Sequence, residues 1–215
     1  MTLDPFKSVR DFEQALCEYT GADYAVTFDS QSSAMEACLI YDKVHGRTIG
    51  IPNRTYMSVP SCLILTGNKI EWVHVDGQYL TGAYVLKGTR IWDSALRFTA
   101  GMYVQGSLMC LSFTGPHKHL NLEKGGAILC STQEESEWFK RYRFNGRNEC
   151  SYHVDTFTQV GRNCYMLGST ASRGLRDMAK FYDMHGNKKH MEDITLPYPD
   201  LSLPKHTAYN DSINR

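Results

Sequence analysis

The sequence has no net charge, no long apolar run and no paired-cysteine motif, and each absence excludes a class of protein. Its 23 lysines and arginines balance 23 aspartates and glutamates, so no electrostatic field favours a nucleic acid or a membrane surface. No apolar run approaches the ~18 residues that cross a membrane, and the N-terminus has no basic-then-apolar leader. We therefore expect a cytoplasmic protein without membrane contact or direct nucleic-acid binding.

The seven cysteines include no CxxC pair, and most of them lie in apolar runs. This placement is typical of reduced, buried thiols. His117 and His119 are two residues apart, and no cysteines or carboxylates cluster with them as zinc ligands would. We therefore expect no metal site.

Segments with helical periodicity alternate along the chain with short strand-like runs. Helices are predicted at 9–19, 34–44, 58–66, 133–144 and 169–182, and strands at 24–28, 47–52, 69–75, 90–92, 108–111 and 127–130. This alternation with short connections predicts a three-layer α/β/α sandwich around a mostly parallel sheet.

The composition changes beyond Gly186. Pro197, Pro199 and Pro204 fall close together, so no long regular element fits there. We therefore predict one α/β domain at 1–186, followed by a short proline-rich segment at 187–215.

The loop between the runs 108–111 and 127–130 contains Lys118 between His117 and His119. A lysine held at a strand end by partial burial has a lowered pKa and more free amine, which suits a nucleophile. The alternative is an ordinary solvated turn lysine. Either histidine could assist a proton transfer or simply lie on the surface.

Two further strand ends carry groups suited to a ligand. Ser32 and Ser33 precede a helix, where free amides and hydroxyls make an anion site, although ordinary serine capping needs no ligand. Asp93 is predicted at the carboxyl end of the strand 90–92, where open α/β sheets gather ligand groups. A helix cap or loop acid is the alternative there.

Together these strand ends provide a hydroxyl-rich turn, an aromatic ring at Tyr56, an acid at Asp93, a hydroxyl at Ser112 and an amine at Lys118. Pyridoxal 5′-phosphate (PLP) requires such a set: an imine-forming lysine and an acid for its pyridinium nitrogen.

In their order along the chain, these stretches resemble the motifs of the DegT-type sugar aminotransferases, which are fold-type I PLP-dependent enzymes. The matching stretches are Ser30-Gln31-Ser32-Ser33-Ala34, Thr55-Tyr56-Met57-Ser58, Trp92-Asp93-Ser94-Ala95, Ser112-Phe113, Lys118-His119-Leu120, Gly125-Gly126-Ala127 and 161–166.

The resemblance implies a role for each matched residue. Lys118 would form the internal aldimine, and Asp93 would pair with the pyridine nitrogen. Tyr56 would stack on the ring, and the phosphate would be held by Ser32, Ser112 and the amides near Gln31. Asn163 would reach the cofactor of the partner subunit in a homodimer that shares its active sites.

The sequence also departs from the family pattern. Gln31-Ser32 replaces Gly-Thr in the phosphate turn, Leu96 replaces a glutamine or histidine, and Tyr165 replaces an arginine. One extra residue precedes Lys118, and Glu123-Lys124 replaces Gly-Glu. The stretch 201–206 resembles a segment near the family's C-terminus, which implies that most of the small C-terminal domain is missing.

The predicted function is PLP-dependent transfer of an amino group to a keto-sugar or nucleotide-linked substrate. Because the departures fall around the substrate, two alternatives stay open. One is a PLP-dependent decarboxylase or lyase acting on an amino-acid adduct, including an adduct of a nucleotide or modified DNA base. The other is a non-catalytic PLP-binding subunit or regulator.

Overall fold

The computed structural model describes residues 4–210. Its helices and strands, in chain order, are α1 (Lys7–Thr20), β1 (Tyr24–Phe28), α2 (Gln31–Tyr41), β2 (Thr48–Pro52), α3 (Ser58–Leu65), β3 (Lys69–Val73), β4 (Tyr79–Val85), β5 (Ile91–Leu96), β6 (Leu108–Ser112), β7 (Gly126–Cys130), α4 (Gln133–Arg143), α5 (Gly168–Asp177), β8 (Thr195–Pro197) and α6 (Thr207–Asn210). Two 3₁₀ turns, Tyr152–Val154 and Met178–Phe181, flank α5.

The central sheet has six strands in the order β1-β7-β6-β5-β4-β8, and β2 pairs with β3 in a separate two-stranded sheet. Within residues 4–210, β5–β6 is the one parallel pairing of the larger sheet, and β2–β3 is also parallel. The prediction of a mostly parallel sheet is therefore wrong. The turn 86–90 and the loop 113–125 stay at one end of the sheet, so the strand that follows each of them returns antiparallel.

Helices cover both faces of the central sheet because its inner strands alternate between two apolar cores. In β7, Ile128 and Cys130 pack in the core under α2, α3 and α4, whereas Ala127 and Leu129 pack in the core under α1 and α5. This period of two is the pattern of a strand that is buried on both faces. The predicted three-layer α/β/α sandwich is confirmed.

Helix α2 begins at Gln31, three residues before the predicted start at 34. Ser30 is its N-cap, and the Ser30 hydroxyl accepts a hydrogen bond from the Ser33 amide at 3.2 Å. Ser32 therefore lies in the first turn of the helix, where the backbone amides have no helical partner.

The sequence does not predict β4 and β8, and these two strands bring the C-terminal segment onto the sheet. β8 pairs antiparallel with β4, with Leu196 opposite Leu80. An ion pair between Arg97 and Asp193 precedes β8, and the Leu201 amide donates to the Asn53 carbonyl at 2.8 Å beyond it. The segment 193–201 is thus held by Arg97, by strand β4 and by the residue that follows β2.

Candidate active site

One cavity of about 540 Å³ lies where α2 begins and β6 ends. Its wall includes five residues that the sequence predicts as cofactor ligands. The C-terminal segment contributes two wall residues that the sequence does not predict, Leu196 and Tyr198. The lining residues are Ser30, Gln31, Ser32, Tyr56, Ser58, Ala95, Ser112, Thr114, Gly115, His117, Lys118, Glu123, Lys124, Leu196 and Tyr198. The volume lies in the range of small-molecule and cofactor sites.

The N-terminus of α2 presents amides and one uncommitted hydroxyl to this cavity. The hydroxyls of Ser30 and Ser33 both donate to Oδ1 of Asp29, at 3.0 and 2.6 Å. Within residues 4–210 the Ser32 hydroxyl forms no hydrogen bond, and Ser112 at the end of β6 accepts only the Thr114 amide at 3.4 Å. Ser32 and Ser112 are therefore free to bind an anion beside the positive end of the helix.

Gly126 allows β7 to lie directly against the start of α2. A Cβ atom at this position would lie 2.6 Å from the carbonyl carbon of Ser30 and 2.7 Å from Cα of Gln31. Any side chain would therefore push the strand and the helix N-terminus apart. The close approach fixes the first turn of α2 relative to the sheet.

Lys118 lies in the loop between β6 and β7, as the sequence indicates. Its amide donates to the Gly115 carbonyl at 3.1 Å, and Gly115 has a φ of +114° that favours glycine. Its Nζ donates to the carbonyl of Ala95, just beyond Asp93. Burial lowers the pKa of Lys118 to about 8, although the Asp93 charge acts the other way. A sizeable share of free amine therefore exists near neutral pH.

Asp93 lies inside β5, opposite Cys110, and not at the carboxyl end of its strand; that part of the prediction is wrong. The strand continues to Leu96 because its apolar pattern resumes there. The side chain of Asp93 is only 4% exposed and lies behind Gln31, whose Nε2 donates to Oδ1 at 2.5 Å. We call Gln31, Asp93 and Tyr84, which donates to Oδ2 at 3.0 Å, the floor of the site.

Burial raises the pKa of the Asp93 carboxyl above its usual range, while donated hydrogen bonds and the Lys118 charge oppose the shift. Asp93 and Lys118 are close enough for their charges to interact. The Lys118 charge lowers the pKa of Asp93, and the Asp93 charge raises the pKa of Lys118.

Tyr56 follows β2 and lies at the cavity wall with its side chain half exposed. Its ring meets the edge of the Tyr198 ring at a centroid distance of 6.4 Å. Arg54 anchors the backbone of Tyr198 by donating from Nη1 to its carbonyl at 2.8 Å. The aromatic wall of the cavity thus consists of the predicted residue Tyr56 and of Tyr198 from the C-terminal segment.

Asn163 is not brought to the cavity of its own chain. It is exposed and forms an isolated antiparallel bridge with Phe144. Its role at a partner's cofactor stays a prediction. Leu96, the departure at the end of β5, is buried in the sheet.

The sequence does not point to Tyr84, Leu196 or Tyr198. Tyr84 reaches Asp93 because a register shift in β4, between Gly82 and Tyr84, places it opposite Asp93. Leu196 and Tyr198 depend on the pairing of a distant three-residue strand. No local pattern could have found them, because each position is set by a strand that pairs through tertiary contacts.

Charged and polar side chains surround the opening of the cavity. We call His117, Glu123 and Lys124 its mouth; all three are exposed. Glu123 pairs with Arg173 at 3.0 Å, and Lys124 lies 3.8 Å from Asp29. His119 instead contacts the Glu192 carbonyl through Nε2 at 2.8 Å.

In the part of the chain that the structure describes, no helix is both long and apolar enough to span a membrane. Over the same residues, no three histidine, cysteine or carboxylate side chains come together as metal ligands.

Comparison with known proteins supports one family. Residues 2–83 match the model of the DegT/DnrJ/EryC1/StrS aminotransferase family. The comparison with curated proteins finds no match.

Solved structures of several aminotransferases share the fold at low identity. AtS13 from Actinomadura melliaura is 19% identical with a TM-score of 0.69, and the alignment covers 80% of this chain and 59% of that one. PseC from Helicobacter pylori, an aminotransferase involved in the biosynthesis of pseudoaminic acid, is 17% identical with a TM-score of 0.66, covering 81% and 58%. NtdA from Bacillus subtilis, solved with bound PMP, is 16% identical with a TM-score of 0.65, covering 80% and 47%.

The chain thus spans about three-fifths or less of the length of these structures. The resemblance that its motifs indicate is nevertheless confirmed: the chain matches the DegT/DnrJ/EryC1/StrS aminotransferase family over residues 2–83 and has the fold of aminotransferases of known structure.

Proposed function

We propose that the chain is a PLP-dependent enzyme that transfers an amino group to the keto group of a sugar or nucleotide-linked sugar. The observation that carries this proposal is that the amine of Lys118 and the N-terminus of α2 line one cavity, with the buried acid Asp93 directly behind its wall at Gln31. The family match over residues 2–83 supports the same activity.

The donor set of the cavity fits PLP. A phosphate would find the amides of the first turn of α2 and the uncommitted hydroxyls of Ser32 and Ser112. Lys118 would hold the cofactor covalently, and Tyr56 would lie against its ring. Oδ2 of Asp93 accepts one hydrogen bond, from Tyr84, so it retains capacity for a protonated ring nitrogen.

When bound, PLP supplies an electron-accepting ring that stabilises negative charge on the carbon beside the amino group. The chain contributes positioning and proton transfer. Because the pKa of Lys118 is about 8, its Nζ can take up a proton and return it near neutral pH. Burial keeps water away from Asp93 and strengthens its attraction for a positive charge.

We also propose that the protein is a homodimer in which Asn163 contacts the cofactor of the partner subunit. Its exposure outside its own cavity supports this assignment. Light scattering tests it, because a monomer at micromolar concentration would contradict the shared site.

Absorbance spectroscopy with glutamate tests the proposed reaction. The protein mixed with PLP should show a visible band that Lys118→Ala lacks, and glutamate should convert the bound cofactor to its pyridoxamine form. A stable band that glutamate leaves unchanged would contradict transamination and favour decarboxylation, elimination or a non-catalytic role. The absence of any band would contradict PLP binding itself.

A further inference from the structure

Gln31 occupies the first helical position of α2 and sends its side chain under the cavity to the acid. Its Nε2 donates to Oδ1 of Asp93 at 2.5 Å and lies 3.4 Å from the Cys110 carbonyl. Two acceptors thus face this amide, which fixes its orientation, since the opposite orientation would set oxygen against oxygen. The backbone amide of Ala95 gives Oδ1 a second hydrogen bond, at 2.9 Å.

Tyr84 supplies the matching contact to the other carboxylate oxygen. Its hydroxyl lies 3.0 Å from Oδ2 of Asp93 and 2.7 Å from the Thr55 hydroxyl. An ionised carboxylate only accepts, so the single hydroxyl proton of Tyr84 goes to Asp93 and Thr55 donates to Tyr84. Burial and the Asp93 charge raise the pKa of Tyr84 well above its usual range, so this hydroxyl stays protonated as a donor.

The titratable groups that face Asp93 come from every element around it. They are Tyr84 from β4, Lys118 from the loop after β6, Tyr198 from the C-terminal segment, Cys62 from α3 and Cys110 from β6. Of these, only Lys118 carries a positive charge. Without the hydrogen bonds from Gln31, Tyr84 and Ala95, the buried carboxylate would have only the partial positive charge of Lys118 to offset its own. Burial would then favour the protonated form of Asp93.

We propose that Gln31 and Tyr84 are positioning residues that hold the Asp93 carboxylate ionised and fixed in orientation. This inference rests on the proposed function, in which an ionised Asp93 attracts the protonated ring nitrogen of the cofactor. The two residues act through Asp93 and set the pH range over which it can do so.

The test is the titration of Asp93 in the cofactor-free protein. ¹³C NMR of protein labelled at the aspartate carboxyl carbons follows this group, and Asp93→Asn assigns its signal. Tyr84→Phe removes one hydroxyl and keeps the ring, and Gln31→Met removes the amide at similar volume. Tyr79→Phe is the matched control, because Tyr79 lies on the same strand with 61% of its surface exposed.

We expect wild type and Tyr79→Phe to titrate with the same midpoint. Each floor variant should raise that midpoint by about one pH unit, the shift that corresponds to one hydrogen bond to a charged group. As a second readout, the pH below which PLP binding weakens should move up by the same amount. If Tyr84→Phe does not fold, Gln31→Met carries the test alone.

Unchanged midpoints in folded Tyr84→Phe and Gln31→Met would overturn the inference. This failure is distinct from failure of the proposed function, because the titration needs no cofactor. A raised midpoint in a protein that binds no PLP would contradict the function and leave the positioning role intact.

Discussion

The floor and the mouth of the cavity are built in opposite ways. Floor residues Gln31, Tyr84 and Asp93 are joined by hydrogen bonds of 2.5 and 3.0 Å. Gln31 and Asp93 are buried, and Tyr84 is partly buried. Mouth residues Glu123 and Lys124 are exposed, and their charges meet single partners at the surface. Contacts of the first kind are costly to break, whereas exposed ion pairs contribute little. The floor and Lys118 should therefore determine cofactor binding, and the mouth should not.

The largest effect is expected for Lys118→Ala. Removing the amine should abolish covalent retention of PLP and lower kcat/KM at least about 1,000-fold. The other lysine of the cavity wall, Lys124, lies at the exposed mouth beside Asp29 and should not replace it. Retention is measured by absorbance after gel filtration. Lys124→Ala, a mouth lysine, is the control and should retain PLP like the wild type. Equal retention by the two variants would remove the contrast between Lys118 and the mouth.

The reaction of Lys118 with PLP should depend on pH with a midpoint near 8. Its pKa in the folded protein is about 8, below the ordinary 10.5, so the free-amine fraction rises as pH passes through 8. From pH 6 to pH 9 the rate of band formation should increase roughly 100-fold. Stopped-flow absorbance measures it. A midpoint above pH 10 would contradict the burial of Lys118.

Gly126→Ala should separate β7 from the start of α2. The added Cβ meets backbone atoms at 2.6 and 2.7 Å, which should cost about 2 kcal/mol of unfolding free energy and weaken PLP binding. Urea denaturation and fluorescence titration measure the two effects. Gly168→Ala is the control, because the nearest atom to its Cβ is Ser8 Oγ at 3.1 Å. An effect no larger than that of the control would contradict the close approach.

Loss of one phosphate hydroxyl should have a moderate effect. Ser32→Ala and Ser112→Ala should each weaken PLP affinity about 5- to 10-fold, the value of one hydrogen bond. Ser33→Ala should change it less, since the Ser33 hydroxyl is bonded to Asp29. Competition by inorganic phosphate identifies the subsite. If Ser33→Ala has the largest effect of the three, the assignment of the open hydroxyls is wrong.

The smallest effect is expected at the mouth. Glu123→Gln breaks an ion pair in which the Glu123 side chain is 82% exposed, and it should change the unfolding free energy by less than about 0.5 kcal/mol. PLP affinity should change less than about twofold. Thermal unfolding and PLP titration measure both. A tenfold loss of PLP affinity would extend the cofactor site to the mouth.

The sequence predicts those parts of the molecule that local chemistry determines. Helix α1 follows from its apolar spacing and its left-handed Gly21, and the Lys118 loop follows from two apolar runs with a turn between them. The direction of the strands could not be predicted, because it depends on whether each connection crosses the sheet. The sequence predicts Asp93 at a strand end because its pattern indicates a strand that stops at Trp92, whereas β5 continues to Leu96. The contacts of Tyr84 and Tyr198 could not be predicted, because they depend on strands that are far apart in the sequence or shifted in register.

Peptide mapping after reduction tests the central assignment most directly. The protein is incubated with PLP, reduced with borohydride, digested and examined by mass spectrometry. We expect a phosphopyridoxyl group on Lys118 and none on Lys124. An unmodified Lys118, or equal modification of Lys118 and Lys124, would contradict the assignment.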